Sequence, residues 1–143
     1  RPPRSTLFPY TTLFRSPHYL ELEITESVFV SGTKAIKEKL EALHSMGILL
    51  ALDDFGTGYS SLSYLCTLPF DLLKIDKSFV DTVLTDNEGK NLVEPIITMA
   101  HKLGLEVIAE GVESKDQLDY LLRLNCDFVQ GFFMSKPLPV TAL

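Results

Sequence analysis

The sequence predicts an α/β fold built on about five parallel strands, and three observations carry that expectation. Short apolar or alternating runs recur along the chain, each separated from the next by a stretch of helical period or a turn. Gly or Pro punctuates these stretches, as at Gly47, Pro69 and Gly104. The polar residues are also not scattered: Glu, Asp, Lys and Gln recur at or just past the ends of the apolar runs. Strands that alternate with helices imply right-handed βαβ units and a parallel sheet, whose strand ends share one edge.

At 143 residues the chain has the length of one domain, and 45% hydrophobic with 22% charged residues is an ordinary globular balance. The net charge of -6 argues against binding duplex nucleic acid, which rests on Lys and Arg neutralising phosphates. A small anionic ligand stays compatible if metal ions reverse the local field. Cys66 and Cys126 stand outside any CxxC pair and read as small, reduced core residues of an intracellular, cytoplasmic protein. His18, His44 and His101 lack ligand spacing and are given no metal role. No apolar run approaches the roughly 20 residues that span a bilayer.

Residues 1–16, RPPRSTLFPYTTLFRS, differ from the rest: TLF occurs twice and neither period is present. They read as an artefact of joining or sequencing, or as a disordered tail, and are set aside from the fold. Residues 17–143 form the domain. Residues 20–25 (LELEIT) alternate Leu22 and Ile24 against Glu21 and Glu23, a strand. Residues 32–46 place Ile36, Leu40 and Leu43 on one helical face. The second strand is expected over 48–52, then a loop, then a short helix over 61–68 with Ser60 or Ser61 as cap. The third strand spans 71–75, a helical turn 76–84 and a loop 86–89. A longer helix carries the stripe Leu92, Ile96, Met99 and Leu103, with Pro95 expected in its first turn. The fourth strand covers 105–109. A helix over 114–124 opens with a capping box, Ser114 with Gln117, and carries Leu118, Leu121 and Leu122. The fifth strand spans 127–130.

The chemistry gathers at the strand ends. Asp53 and Asp54 follow an apolar run and precede Gly56 and Gly58. Because neighbouring strand residues point to opposite faces, two chelating acids side by side make sense at a strand end or in the turn beyond it. A solvated turn is the plainer alternative. Glu23 and Glu26, Lys74 and Asp76, Glu110 and Glu113, and Gln130 fall at successive strand ends, an arrangement that suits a (β/α) barrel with a metal site on its C-terminal rim. Lys74, between Leu73 and Ile75, either snorkels or meets a buried carboxylate. Several carboxylates in one water-accessible site call for hard divalent cations, Mg²⁺ or Mn²⁺. An adjacent Asp pair can bridge two such ions in phosphodiester hydrolysis.

These residues resemble a known family. LEITES (22–27), ALDDFGTGYSSL (51–62), LLKIDKSFV (72–80), VIAEGVES (107–114) and QGFFMSKPLP (130–139) are similar to the motifs of EAL-domain cyclic-di-GMP phosphodiesterases of bacterial signalling. The resemblance implies a TIM-like barrel that linearises cyclic di-GMP to pGpG with Mg²⁺ or Mn²⁺. By motif it implies Glu23 as a ligand of a first metal, Asp53 as the bridging ligand and Asp54 as a ligand of the second. Glu110 corresponds to a second-metal ligand and general base, and Lys74 to the residue that positions the attacking water. Glu26 corresponds to the anchor of the loop 53–61. Asp76, Glu113 and Gln130 match further substrate or supporting positions, and 76–103 falls where the family forms a homodimer.

The Glu-Ala-Leu signature and an asparagine ligand of that family are absent, and residues 19–139 fall short of the roughly 200 needed to close a barrel. The chain is therefore expected to be the C-terminal part of an EAL domain, inactive or weakly active by itself. A non-catalytic cyclic-di-GMP binding or scaffold module is the alternative, and an unrelated metal-dependent barrel lyase or aldolase a third.

Overall fold

A computed structural model describes residues 16–25, 27–28, 33–56, 62–84 and 87–139. After a 3-10 turn at Pro17–Tyr19 come β1 (Glu21–Thr25), α1 (Thr33–Ser45), β2 (Leu49–Phe55), α2 (Leu62–Thr67) and β3 (Leu72–Ile75). Next are α3 (Lys77–Thr82), α4 (Asn87–Lys102), β4 (Glu106–Ala109), α5 (Lys115–Arg123) and β5 (Phe128–Val129). The strands form one sheet in the order β1-β2-β3-β4-β5, every pair parallel. All five C-terminal strand ends therefore lie on one edge, as the sequence predicts.

Alternation gives the sheet two chemically different faces. Leu50, Leu52, Leu73, Ile75, Val107 and Ala109 point to the side that the helices cover, where Leu40, Val80, Val93, Ile97 and Leu121 complete a single core. Leu50, Leu73, Ile75, Val107 and Ala109 are inaccessible to solvent. Each such Val, Leu or Ile side chain contributes about 1.5–3 kcal/mol by leaving water. The register pairs Glu23 with Ala51, Ala51 with Leu72 and Lys74 with Ile108, so Glu23, Ala51, Asp53, Leu72, Lys74 and Ile108 share the opposite face. The functional candidates ride on that second face.

Several local expectations change. The second strand runs on through Asp53 and Asp54 to Phe55 instead of stopping at Leu52, because Phe55 turns into the core and is buried. Asn87–Lys102 is one helix where a loop was expected to reach Gly89, and Pro95 lies inside it rather than in its first turn. Val93, Ile97 and Ala100, on both sides of the proline, are buried in the core and hold that helix against the missing hydrogen bond. The buried stripe is thus one residue later than expected, and Leu92 and Leu103 are exposed. In α5, Leu121 is buried but Leu122 is exposed. The capping box of Ser114 and Gln117 is present. Cys126 is buried as expected of a core thiol, and burial pushes it up to about 11; Cys66 is exposed. Glu26, Gly58, Ser60, Ser61 and Asp86 lie outside the described residues.

The opposite edge of the sheet carries two matched pairs. His44 Nε2 lies 3.1 Å from Asp71 Oδ1, while Asp71 Oδ2 accepts the Leu50 N–H at 2.8 Å. Likewise, Asp127 Oδ2 lies 2.8 Å from His101 Nε2 and accepts the Val107 N–H at 2.8 Å. Each pair ties a helix end to the starts of two neighbouring strands. Burial raises the Asp127 carboxyl, but the hydrogen bonds from His101 and Val107 outweigh it and hold the group below its ordinary 3.8. A lowered native value means that the unfolded chain binds the proton first, so this stabilisation is full above the unfolded value and is lost as pH falls through the native one. Asp127→Asn is therefore expected to destabilise the chain at pH 5 in urea unfolding, with the difference between the two proteins shrinking as pH falls below the ordinary carboxyl value. A difference between them that does not change with pH would refute the linkage.

Candidate metal and active site

The Asp pair sits in a break of the sheet register. Leu52 pairs with Leu73, yet Phe55 pairs with Ile75, so β2 carries one more residue than β3 over this stretch. Asp54 is the residue that absorbs the bulge, with φ 56° in the left-handed region that Asp tolerates better than most residues. The consequence is chemical. Without the bulge, Asp53 and Asp54 would point to opposite faces; with it, Asp53 keeps the open face, Phe55 enters the core, and both carboxylates reach the same rim.

Glu110 follows β4 and is fixed by its own N–H, which donates to Ile75 C=O at 3.1 Å. Its carboxylate joins Asp53 and Asp54 in a group whose oxygens all lie within 4.8 Å of one another. At their base is Lys74, only 4% exposed. Its Nζ lies 2.7 Å from Glu110 Oε1, 2.6 Å from Glu23 Oε1 and 3.3 Å from Asp53 Oδ1. Of the two readings open for this lysine, the structure takes the second: it meets carboxylates from three neighbouring segments. Burial alone would lower the ammonium, but the hydrogen bonds to Glu110 and Glu23 and the charges of Glu110 and Asp53 hold it well above the ordinary lysine value. Asp54 is also held above its ordinary value, which for a carboxyl disfavours the charged form, through burial and then the charges of Asp53 and Asp76.

Glu23 thus reaches the site through Lys74 and stands outside the three-carboxylate group. Asp76 has a structural task as N-cap of α3, accepting the Ser78 N–H at 2.9 Å, and the Ser78 hydroxyl bond holds its carboxyl below the ordinary value. Glu113 and Gln130 line a cavity of about 300 Å³ beside Glu110, together with Lys77, Gly111, Gly131 and Phe132. The Gln130 backbone also joins the loop to the sheet, accepting from Val112 N and donating to Ala109 C=O. Of the described candidates, Asp53, Asp54 and Glu110 converge, Lys74 and through it Glu23 adjoin them, Glu113 and Gln130 lie beside Glu110, and Asp76 caps α3.

Sequence reasoning passed over Lys77. Its Nζ bridges Asp81 at 2.7 Å and Glu113 at 3.0 Å. Its stem crosses Gly111 so closely that a Cβ there would lie 2.3 Å from Lys77 Cγ, and Gly111 itself has φ +70°. The spacing of Lys77 and Asp81 by four residues was a readable helical signal. The contact with Glu113 was not, because only the sheet brings that loop near.

The carboxylate oxygens are hard donors, and their convergence fits a divalent cation that favours oxygen, such as Mg²⁺ or Mn²⁺. Their electrostatics agree with this, since a cation would offset both the burial that raises Asp54 and the repulsion from Asp53 and Asp76 that adds to it.

The EAL domain family matches residues 12–137, and the chain belongs to that family. The cyclic di-GMP phosphodiesterase NbdA of Pseudomonas aeruginosa is 46% identical over 125 residues, which cover 87% of this chain and 16% of that protein. The solved structure of the PaMucR phosphodiesterase in complex with c-di-GMP superposes with a TM-score of 0.84 at 41% identity, covering 89% of this chain and 51% of that one. The manganese and cyclic di-GMP complex of Klebsiella pneumoniae BlrP1 superposes with a TM-score of 0.76 at 31% identity, covering 82% of this chain and 30% of that one. EAL domains form TIM-like barrels, and the five-stranded parallel sheet is part of such a barrel. Among the described residues no helix is long and apolar enough to cross a membrane.

Proposed function

We propose that this chain is the metal-binding, catalytic part of a phosphodiesterase that hydrolyses cyclic di-GMP to linear pGpG. The observation that carries the reading is the convergence of Asp53, Asp54 and Glu110 over the buried Lys74, in a chain of the EAL family. Glu23, Asp53, Asp54 and Glu110 are the residues that would hold two divalent ions, Mg²⁺ or Mn²⁺. Bound there, they would activate the attacking water and offset charge on the leaving oxygen. Glu110 then serves as ligand and as the base that accepts the water's proton. Lys74 orients the water through its fixed ammonium. The cavity beside Glu110 supports a substrate role for Glu113 and Gln130, which supply acceptor and donor groups. Asp76 supports the rim from the start of α3, and Glu26 is assigned to the loop 53–61.

The reading includes a homodimer through residues 76–103. Its support is the outer side of α4, where Glu94, Pro95, Thr98, Met99, Lys102 and Leu103 line a groove of about 690 Å³ and Leu92 is 47% exposed. It also includes a cytoplasmic location, supported by the free thiols of Cys66 and Cys126. The chain spans only 15% and 16% of two of its curated relatives, so activity, substrate and partners are proposed for the longer protein that carries it. Residues 17–143 are assigned to the C-terminal portion of the domain. Glu23 alone represents the far side of the two-ion site among the described residues, so the 143 residues alone are expected to turn over weakly or not at all.

Chromatography of cyclic di-GMP incubated with Mn²⁺ tests this. The longer protein is expected to yield pGpG, and the 143-residue chain at least about 100-fold less, the scale of losing essential positioning groups. Sedimentation of the same samples reads the oligomeric state. Binding without turnover by the longer protein would replace the enzyme by a sensor module, and no binding of the dinucleotide would sink both.

A further inference from the structure

Two of the proposed metal ligands serve two cations at once. Asp53 and Glu110 belong to the group of carboxylates that gathers within 4.8 Å, and both also contact the Lys74 ammonium, at 3.3 and 2.7 Å. The lysine side chain is 5% exposed and rises from the middle of the sheet, flanked by β2 and β4, so it cannot swing into solvent as a surface lysine would. An ion seated on these acids would share two of their carboxylates with a fixed positive charge. Lone pairs committed to N–H bonds are weaker donors to a metal, and the two cations repel across a poorly solvated space.

A lysine in this position has two opposed effects. It could gather the carboxylates against their mutual repulsion, which would aid metal binding, or compete with the ion for them, which would weaken it. The local structure decides between these. Asp53 is placed by the β2 bulge, and its Oδ1 accepts the Asp54 N–H at 3.0 Å. Glu110 is placed by its N–H bond to Ile75 and by the left-handed turn at Gly111. The Asp53 carboxylate thus has a hold of its own apart from the lysine and Glu110 keeps its backbone position, which favours competition over gathering.

We propose that Lys74, besides orienting the water, is a positioning residue that lowers the affinity of this site for divalent metal, its ammonium being a built-in competitor for Asp53 and Glu110. Occupancy then responds to free metal over a higher concentration range than the carboxylates would give without the lysine. The inference rests on the metal-site reading above, and its test separates the two.

The test is calorimetric titration of Mn²⁺ into the 143-residue chain and into Lys74→Met, Lys74→Arg and Asp53→Asn, with thermal melting of each sample with and without Mn²⁺. Lys74→Met is expected to bind Mn²⁺ about tenfold or more tightly, the range over which a neighbouring charge shifts cation binding. Its melting temperature without metal should fall and its metal-induced rise should exceed that of wild type. Lys74→Arg, which keeps the charge, should stay close to wild-type affinity. Should Lys74→Met not fold by circular dichroism, Lys74→Gln replaces it with the same expectation. Equal or weaker Mn²⁺ binding by the folded uncharged variants, with wild-type binding lost in Asp53→Asn, overturns the inference alone. Absence of Mn²⁺ binding in wild type and variants alike overturns the metal site and the inference together.

Discussion

Asp53→Asn is expected to remove Mn²⁺ binding by at least about 100-fold and to abolish hydrolysis in the longer protein, because loss of a group that merely supports a ligand already costs about 10–100-fold. Asp53 takes part in three of the interactions at the rim. Its carboxylate belongs to the metal group, lies 3.3 Å from Lys74 and accepts the Asp54 N–H. The amide keeps the shape, one acceptor oxygen and the backbone bond, and removes only the charge. Two stability effects then oppose each other: an ion pair with Lys74 is lost, and the repulsion that helps raise Asp54 is relieved. The fold should therefore change by no more than about 1 kcal/mol, within the usual range for a single substitution. Titration of Mn²⁺ alongside a thermal melt reads both at once. Wild-type metal affinity in a folded Asp53→Asn chain would remove Asp53 from the site.

Gly131→Ala is the second large effect, and it acts through backbone. An added Cβ would lie 2.1 Å from the Val112 carbonyl oxygen and 2.3 Å from the Val112 nitrogen. Neither can yield as a flexible side chain would. Both atoms are already engaged, the nitrogen donating to Gln130 C=O and the oxygen accepting the Phe133 N–H, each at 3.0 Å. The methyl must push the loop after β4 away from the turn after β5 and break this double tie. Two net hydrogen bonds and the strain of overpacking come to about 2–6 kcal/mol. That is a large part of the roughly 5–15 kcal/mol that holds a domain. Glu110 and Glu113 lie on the displaced loop, so affinity should fall together with the urea midpoint. An unchanged midpoint would show that the turn relaxes freely.

How far the site was legible differs from residue to residue. Glu23 alternates with Leu22 and Ile24, Asp53, Asp54 and Glu110 follow apolar runs, and Lys74 interrupts one, so each stood out locally. A parallel sheet brings neighbouring strands side by side whatever their separation in sequence. The task of Asp76 as an N-cap was equally local, since its partner Ser78 is two residues on. The bulge was not readable. Strand register depends on which partner β2 pairs with, and nothing between Leu49 and Phe55 marks the extra residue. The Lys77 bridge to Glu113, and the ties from His44 to Asp71 and from His101 to Asp127, were hidden for the same reason, although both histidines stand at helix ends.

The sequence by itself determined the α/β class, the order of the strands' chemistry and the family, because alternation, helical period and motif spacing are properties of neighbouring residues. Only the tertiary structure decided which atoms meet. It extended β2 to Phe55, kept Pro95 inside α4 and moved the buried stripe to Val93, Ile97 and Ala100. It also set a lysine among three of the acids that were read as metal ligands. In each case the deciding energy is burial or charge between segments distant in sequence, which local pattern does not carry.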